Sequence, residues 1–373
     1  VIASQREGEE PLKRLLKNLK QLKRISSTII LVAILLPAHF FNLVNADSPT
    51  NRDIYLYQGA DRAQRLIAGA QKEGAINLYC VMGLEQMSVI TQAFEKKYGV
   101  KVNIWRSSSE NVLQRAITEA QGKRFDVDLL ETGGPELEAL HREKLLQQIK
   151  SPYFQELIPQ AIPSHQEWVG NRINIFVQAY NTNKVKKEEL PKTYQELLDP
   201  KWKGRLGVEA ANLDWFSTLV RELGEEKGLQ LFKDIVAANG LSVRKGHPIL
   251  VSLVASGEIP LALATYSYFV DKLKKEKAAP IDWFIIPPAI VRVTGVGVAR
   301  KAPHPYAALL FYDFMLSDAQ PILSELGITP ASKKLKTYPN NLPMKFVDPA
   351  IFLNEQAKWT ELYERIIVKQ GAK

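Results

Sequence analysis

The stretch IDWFIIPPAIVRVTGVGVA, residues 281–299, decides how this chain is organised. It reads as two extended segments on either side of Pro287-Pro288, because proline cannot donate to a sheet ladder and is confined to strand ends and breaks. Upstream, strands and helices alternate twice over. Downstream come the helix HPYAALLFYDFMLS and a helical tail, with no sheet to pack on. The simplest home for everything beyond about residue 284 is therefore the first of two earlier units, which makes that unit discontinuous.

The first unit opens with DRAQRLIAGAQKEG, an amphipathic helix closed by Gly74. Strand AINLYCV, helix LEQMSVITQAFEKKYG, strand VKVNIW, helix SSENVLQRAITEAQ, strand VDLLET and helix PELEALHREKLL follow. Alternation at this spacing predicts a largely parallel sheet covered on both faces, with right-handed crossovers. NRINIFVQAYNT then reads as a long strand. A second unit follows: strand RLGVEA, helix DWFSTLVRELGEEKGLQLFKDIV, helix PILVSLVASG, strand IPLALAT and helix YFVDKLKKEK. The expected fold class is α/β, two doubly wound mixed sheets joined by a double hinge. Lobe 1 comprises residues 47–178 and 285–373, and lobe 2 residues 179–284. Two lobes joined by two crossings, near 176–182 and 282–290, leave a cleft in which a small ligand is held by closure.

Bulk properties exclude several classes. The chain has 373 residues and a net charge of +9. The first 46 residues hold seven Lys/Arg against three Glu, and without them 42 basic and 37 acidic residues remain. The rest of the surface is mixed in sign, which argues against a nucleic-acid partner. The single cysteine, Cys80, lies in an apolar strand and is expected to be an inert core thiol. Residues 1–46 read as an export signal: a basic segment, an apolar stretch broken by Pro37 and His39, and small residues Val44 and Ala46. The apolar core is too short to span about 30 Å of hydrocarbon as a helix. Cleavage after Ala46 and a periplasmic location are expected, with an uncleaved anchor as the alternative.

The segments AQKEGAINLY, AYNTNKV with LPKTYQELLDPKWKGRLG, ASGEIPLAL and GVGVARKAPHPYAALLFYDFMLS resemble, in that order, the periplasmic solute-binding proteins of ABC importers. The fold is type 2, and the branch is the one that contains the ferric-iron binders. The resemblance implies two lobes closing on a small polar solute, delivery to an ABC permease in the inner membrane, a monomer, no cofactor and no chemistry on the ligand. The first rival is a ferric-iron carrier of the same family. The second is an exported enzyme on a similar two-lobed fold, against which no G-x-S-x-G, H-E-x-x-H or Walker sequence is present. The third is a tethered sensor.

Three stretches supply ligand candidates. Tyr266-Ser267-Tyr268 stands where the iron binders of the family carry two adjacent tyrosines, and phenolate suits a hard ferric ion. In an extended segment, positions two apart point the same way; in a helix they lie about 200° apart. A helix is expected to begin here, so one tyrosine of the pair should face the cleft as a hydrogen-bonding or stacking wall. The glutamate that the resemblance implies as an iron ligand falls near LLETGG, where Gly133 stands and Glu131 is off by two. The corresponding histidine falls near YCVMGLE, which has none. No metal is therefore expected.

Arg106 with Ser107 and Ser108 opens a helix at the end of a strand, where a carboxylate or phosphate could be held bidentately. Ser107 with Glu110 three residues on also reads as a capping box. Asp214 with Trp215 would offer a carboxylate and a stacking face, with Asn212 as the helix cap. Lys245 and His247, in VRKGHPILV, are secondary candidates, with His247 at a helix cap and Pro248 at the first helical position. His141, His165 and His304 show no metal-ligand spacing and read as surface or turn residues. A cleft with Arg106 on one lobe and Asp214 on the other suits a small organic solute carrying a carboxylate and a hydrogen-bond donor.

Overall fold

A computed structural model describes residues 50–335 and 342–369. The expected leader and its cleavage after Ala46 lie outside the described residues. Two α/β units share one ten-stranded sheet, eight of whose strands follow a single continuous path. In the first unit, helices α1 (Asn51–Leu56), α2 (Arg62–Glu73), α3 (Leu84–Tyr98), α4 (Ser109–Gln121) and α5 (Gly134–Arg142) flank strands β1 (Ala75–Cys80), β2 (Lys101–Arg106) and β3 (Leu129–Gly133). β2, β1 and β3 run parallel. Gly74 (φ 77°) and Gly99 (φ 72°) close α2 and α3 in the left-handed conformation that glycine adopts without steric cost.

The hinge region is made by β4 (Trp168–Asn181) and β9 (Ala289–Val298). β4 is long enough to serve both units. It runs antiparallel to β9 from Trp168 opposite Gly297 to Ile175 opposite Val291. From Phe176 onward its partners are β7 (Leu261–Tyr266), and from Gln178 β8 (Ile281–Phe284). The second crossing is residues 285–288, with a cis bond at Pro287-Pro288. β3 lies antiparallel to β9 on its other side, so the stretch read first from the sequence sits at the centre of the sheet.

The second unit adds β5 (Leu206–Glu209), α6 (Leu213–Glu222), α7 (Glu225–Asn239), β6 (Ser242–Arg244), α8 (His247–Ser256) and α9 (Ser267–Lys277). The helix expected over DWFSTLVRELGEEKGLQLFKDIV is two helices, broken at Gly224 (φ 82°). The three-residue strand β6, too short to show a period in the sequence, pairs with β5. Helices α10 (Pro305–Leu316) and α11 (Ala319–Glu325) cover the first unit. β10 (Met344–Phe346) joins β9, and α12 (Pro349–Tyr363) ends the regular structure before a short π-helical turn.

α12 touches both units. Arg142 of α5 donates to Asn354 Oδ1 and to the Ala350 carbonyl. Trp359 and Tyr363 bury their rings against Phe216 of the second unit's core. The apolar face of this helix is thus satisfied where aromatic surface was available, beside α6 as well as α5.

Candidate functional site

β7 ends at Tyr266, which is also the residue before the first turn of α9. Tyr266 is still extended and Tyr268 is already helical, yet the two rings stack, with centroids 5.7 Å apart and planes 9° apart. The change from strand to helix falls between the two residues and, instead of setting them about 200° apart, brings their rings together. His247 and Phe176 each pack on Tyr266, with ring centroids 4.4 and 4.9 Å from it, so one side of the site is aromatic. His247 is the first residue of α8, and Gly246 (φ 98°), not His247, occupies the cap. Burial pushes the His247 imidazole down to about 3, so the ring is neutral. Burial raises both phenols, Tyr268 to about 12 with Arg172 opposing and Tyr266 further with Arg292 opposing. Both phenols keep their protons at neutral pH.

The opposite side is ionic. Arg292 comes from the middle of β9. Its Nη2 lies 2.8 Å from Glu136 Oε2 on α5, and its Nε lies 3.4 Å from Asp214 Oδ2 on α6. Neither Arg292 Nε nor Asp214 Oδ2 makes a hydrogen bond, although both are buried. Burial raises the Asp214 carboxyl, and Arg292 only partly offsets it. The guanidinium occupies the volume a side chain at Gly133 would need: a Cβ there would sit 2.0 Å from Arg292 Nη2. Arg172, from β4, pairs with Glu131. Glu131 also accepts from the Val81 and Met82 N–H groups at 3.0 and 3.1 Å, so this carboxylate is spent on holding the loop after β1.

Arg106 is exposed at the end of β2 and makes no ion pair with a described residue. Ser108, not Ser107, caps α4, accepting from the Asn111 N–H, while Ser107 accepts from the Asn111 side chain. Asn212 stands at the cap position of α6, but its amide is turned to the Ala264 carbonyl. Trp215 is corrected as a stacking face: at 1% exposure it packs edge-on to Phe232, and the core uses its surface. Lys245 is exposed beside the site and makes no ion pair with a described residue. Another ion pair between the units runs from Lys272 of α9 to Glu85 of α3 at 2.7 Å.

The structure therefore clusters the rings of Tyr266, Tyr268 and His247 in the second unit and sets Asp214 against Arg292 of β9. It adds two residues the sequence reading missed, Arg172 and Arg292. Their signal was present as a lone arginine inside each of the apolar strands NRINIF and AIVRV, where an unpaired charge is not tolerated. A cavity of about 250 Å³ lies elsewhere on the first unit, lined by Phe125, Leu130, Lys144 and Arg300 among others, and none of the expected ligand residues lines it.

As a chemical device, the site has two protonated phenols, a neutral imidazole, and arginines mostly committed to carboxylates. No nucleophile with an adjacent base stands among these residues. Cys80 is buried, and burial raises its thiol to about 12.

Comparison with known proteins places the chain in a family. Iron uptake protein A1 of Synechocystis sp. is 30% identical over 273 residues, 69% of this chain and 75% of that protein. The structure of iron-bound HitA from Pseudomonas aeruginosa superposes with a TM-score of 0.69 at 25% identity, covering 78% of this chain and 99% of that one. The periplasmic binding protein AfuA from Actinobacillus pleuropneumoniae, with fructose-6-phosphate bound, gives 0.68 at 21% identity over 79% of this chain and 99% of that one. The family described as bacterial extracellular solute-binding protein matches residues 85–320, well over half of the chain, and the protein belongs to that family.

Proposed function

We propose that the protein captures a small organic solute bearing both an anionic group and a hydrogen-bond donor, and hands it to an ABC permease of the inner membrane. One observation carries this reading. Arg292 Nε and Asp214 Oδ2 are buried 3.4 Å apart and neither is hydrogen-bonded. A buried polar atom without a hydrogen bond is costly even when the rest of its group is bonded, and a bipolar solute offers each what it lacks: an oxygen for the guanidinium Nε, an N–H for the carboxylate Oδ2. Arg106 supplies a second, uncommitted cation, and the Tyr266–Tyr268 stack supplies a wall for the rest of the solute. Capture would proceed by closure about the two crossings, near 176–182 and 282–290, with residues 179–284 moving as the second lobe.

Ferric iron is the second reading, favoured by the tyrosine pair and by the iron named for the relatives above. Against it, Glu131 is consumed and a guanidinium fills the place beside Gly133. Adding ferric citrate is expected to give no visible charge-transfer band; a purple or red protein would transfer the site to iron.

The direct test is a thermal-shift screen of amino acids and other zwitterions. A true ligand at a hundredfold excess over its Kd stabilises by about 2.7 kcal/mol. Arg106→Ala and Asp214→Asn are each expected to abolish that shift. If both variants respond like the parent, the solute binds elsewhere and this reading fails.

A further inference from the structure

From Glu138 of α5 toward the C-terminal end of that helix, three side chains are arranged in a way the solute site does not use. Glu138 and His141 are three residues apart on one helix, a spacing that puts both on the same face. His165, in the turn before β4, lies against them. The two imidazoles are stacked, with centroids 3.7 Å apart and planes 8° apart. One ligand atom from each of Glu138, His141 and His165 falls within 4.8 Å of the others. The sequence reading found no metal-ligand spacing here, because His165 arrives from a separate turn 24 positions on.

We propose that Glu138, His141 and His165 form a binding site for a divalent transition cation of the zinc type, separate from the solute cleft. Two histidines and a carboxylate are a common donor set for such ions, leaving a fourth position for water. The hydrogen bonding around His141 supports the assignment. Its Nδ1 lies 2.9 Å from Glu167 Oε2 and donates to it, which leaves Nε2 as a bare lone pair. A carboxylate holding the far nitrogen of a histidine is how ligating imidazoles are oriented and made more basic. Glu138 is the second support. It is 8% exposed, yet its three hydrogen bonds are long: 3.2 Å from His165, 3.4 Å from Arg142 and 3.5 Å from Trp168. Charge-assisted bonds to a carboxylate normally close to about 2.7–2.9 Å. This carboxylate is under-coordinated. Arg142, the nearest cation, is already held by α12 through Asn354 and Ala350.

Loading requires two local changes. His165 accepts the Glu167 N–H at Nδ1 and donates from Nε2 to Glu138. When the ion takes Nε2, that proton moves to Nδ1 and the bond from the Glu167 N–H is released. Parallel rings also cannot aim two in-plane lone pairs at one point, so one imidazole turns. His165, released from the Glu167 N–H, is the one free to do so.

The test is calorimetric titration of the full chain, stripped with chelator, with Zn2+ alone, and with Co2+ as a coloured probe. Saturable binding of one ion is expected, with the visible band of low-coordinate Co2+ and a rise in Tm. His141→Ala and His165→Ala should each abolish the band, and Glu167→Gln should weaken affinity about tenfold by removing the orienting carboxylate. The double variant Tyr266→Phe with Tyr268→Phe should bind as the parent does. No binding, or binding that survives both histidine substitutions, would overturn the proposal. Loss in the tyrosine variant would place the ion in the solute cleft instead.

Discussion

Replacing Arg292 by alanine is expected to cost about 3–5 kcal/mol of stability at neutral pH and to abolish solute binding. The residue is the only guanidinium described between Glu136 and Asp214, and it is central to both units at once. Without it, Asp214 keeps its burial and loses the one charge that offsets it. The sign of the pH dependence follows. Burial holds the Asp214 carboxyl above its ordinary value, so the folded state retains a proton that the unfolded state has released. Stability therefore falls as pH rises from the ordinary carboxylate value through the raised one. Removing Arg292 raises the Asp214 value further, which widens that window. The deficit should thus be largest in neutral buffer and shrink in mildly acidic buffer. Urea denaturation of parent and variant at the two pH values measures it. Equal deficits at both would mean that Asp214 does not depend on Arg292. Adding Asp214→Asn to Arg292→Ala should recover part of the loss, because the two residues form one interacting unit. Arg292→Lys should keep much of the stability but not the binding, since a point charge cannot reproduce the fork.

The way that site was and was not legible follows from how far each signal reaches along the chain. Gly74 and Gly99 were readable as helix ends because a left-handed φ is a local demand that glycine meets. The centrality of residues 289–298 was readable because a strand with no remaining sheet has to join an earlier one. Trp215 was misplaced because a tryptophan near a helix start looks the same from sequence whether it lines a cleft or fills a core. Only the position of Phe232, seventeen residues later, settles it. Arg292 and Glu136 lie 156 positions apart, and nothing local to either names the other. The same holds for His141 and His165, whose stacking depends on where the chain re-enters the sheet at Trp168. Local conformational rules found the elements; the ionic half of the site arises from pairings between elements and had to be seen.

Gly295→Ala is expected to be the most damaging single methyl group in the fold, at about 3 kcal/mol, the upper end for overpacking. Gly295 faces Thr132 of β3 on one side and Gly170 of β4 on the other. A Cβ there would lie 2.2 Å from the Val169 carbonyl oxygen, 2.8 Å from its carbon and 3.1 Å from Gly170 Cα. All three are backbone atoms of a central strand, so relief requires β4 to move away from β9. The register of β4 already shifts between Gly170 and Arg172, and any further displacement passes to Arg172 and its pair with Glu131. Gly133→Ala provides the contrast. Its new Cβ would be nearer still, 2.0 Å from Arg292 Nη2 and 2.4 Å from Glu136 Oε2. Those atoms are the ends of flexible side chains, and they can turn aside without moving a strand. Gly133→Ala should therefore lose little stability and most of its affinity for the solute, because it dislodges the guanidinium that reads the anionic group. Gly295→Ala should lose stability first, with binding following only as the hinge strands separate. Denaturation curves and ligand titrations on the two variants distinguish these outcomes. A stable Gly295→Ala would show that β4 and β9 are not held at the close approach described here, and a Gly133→Ala that binds normally would remove Arg292 from the solute site.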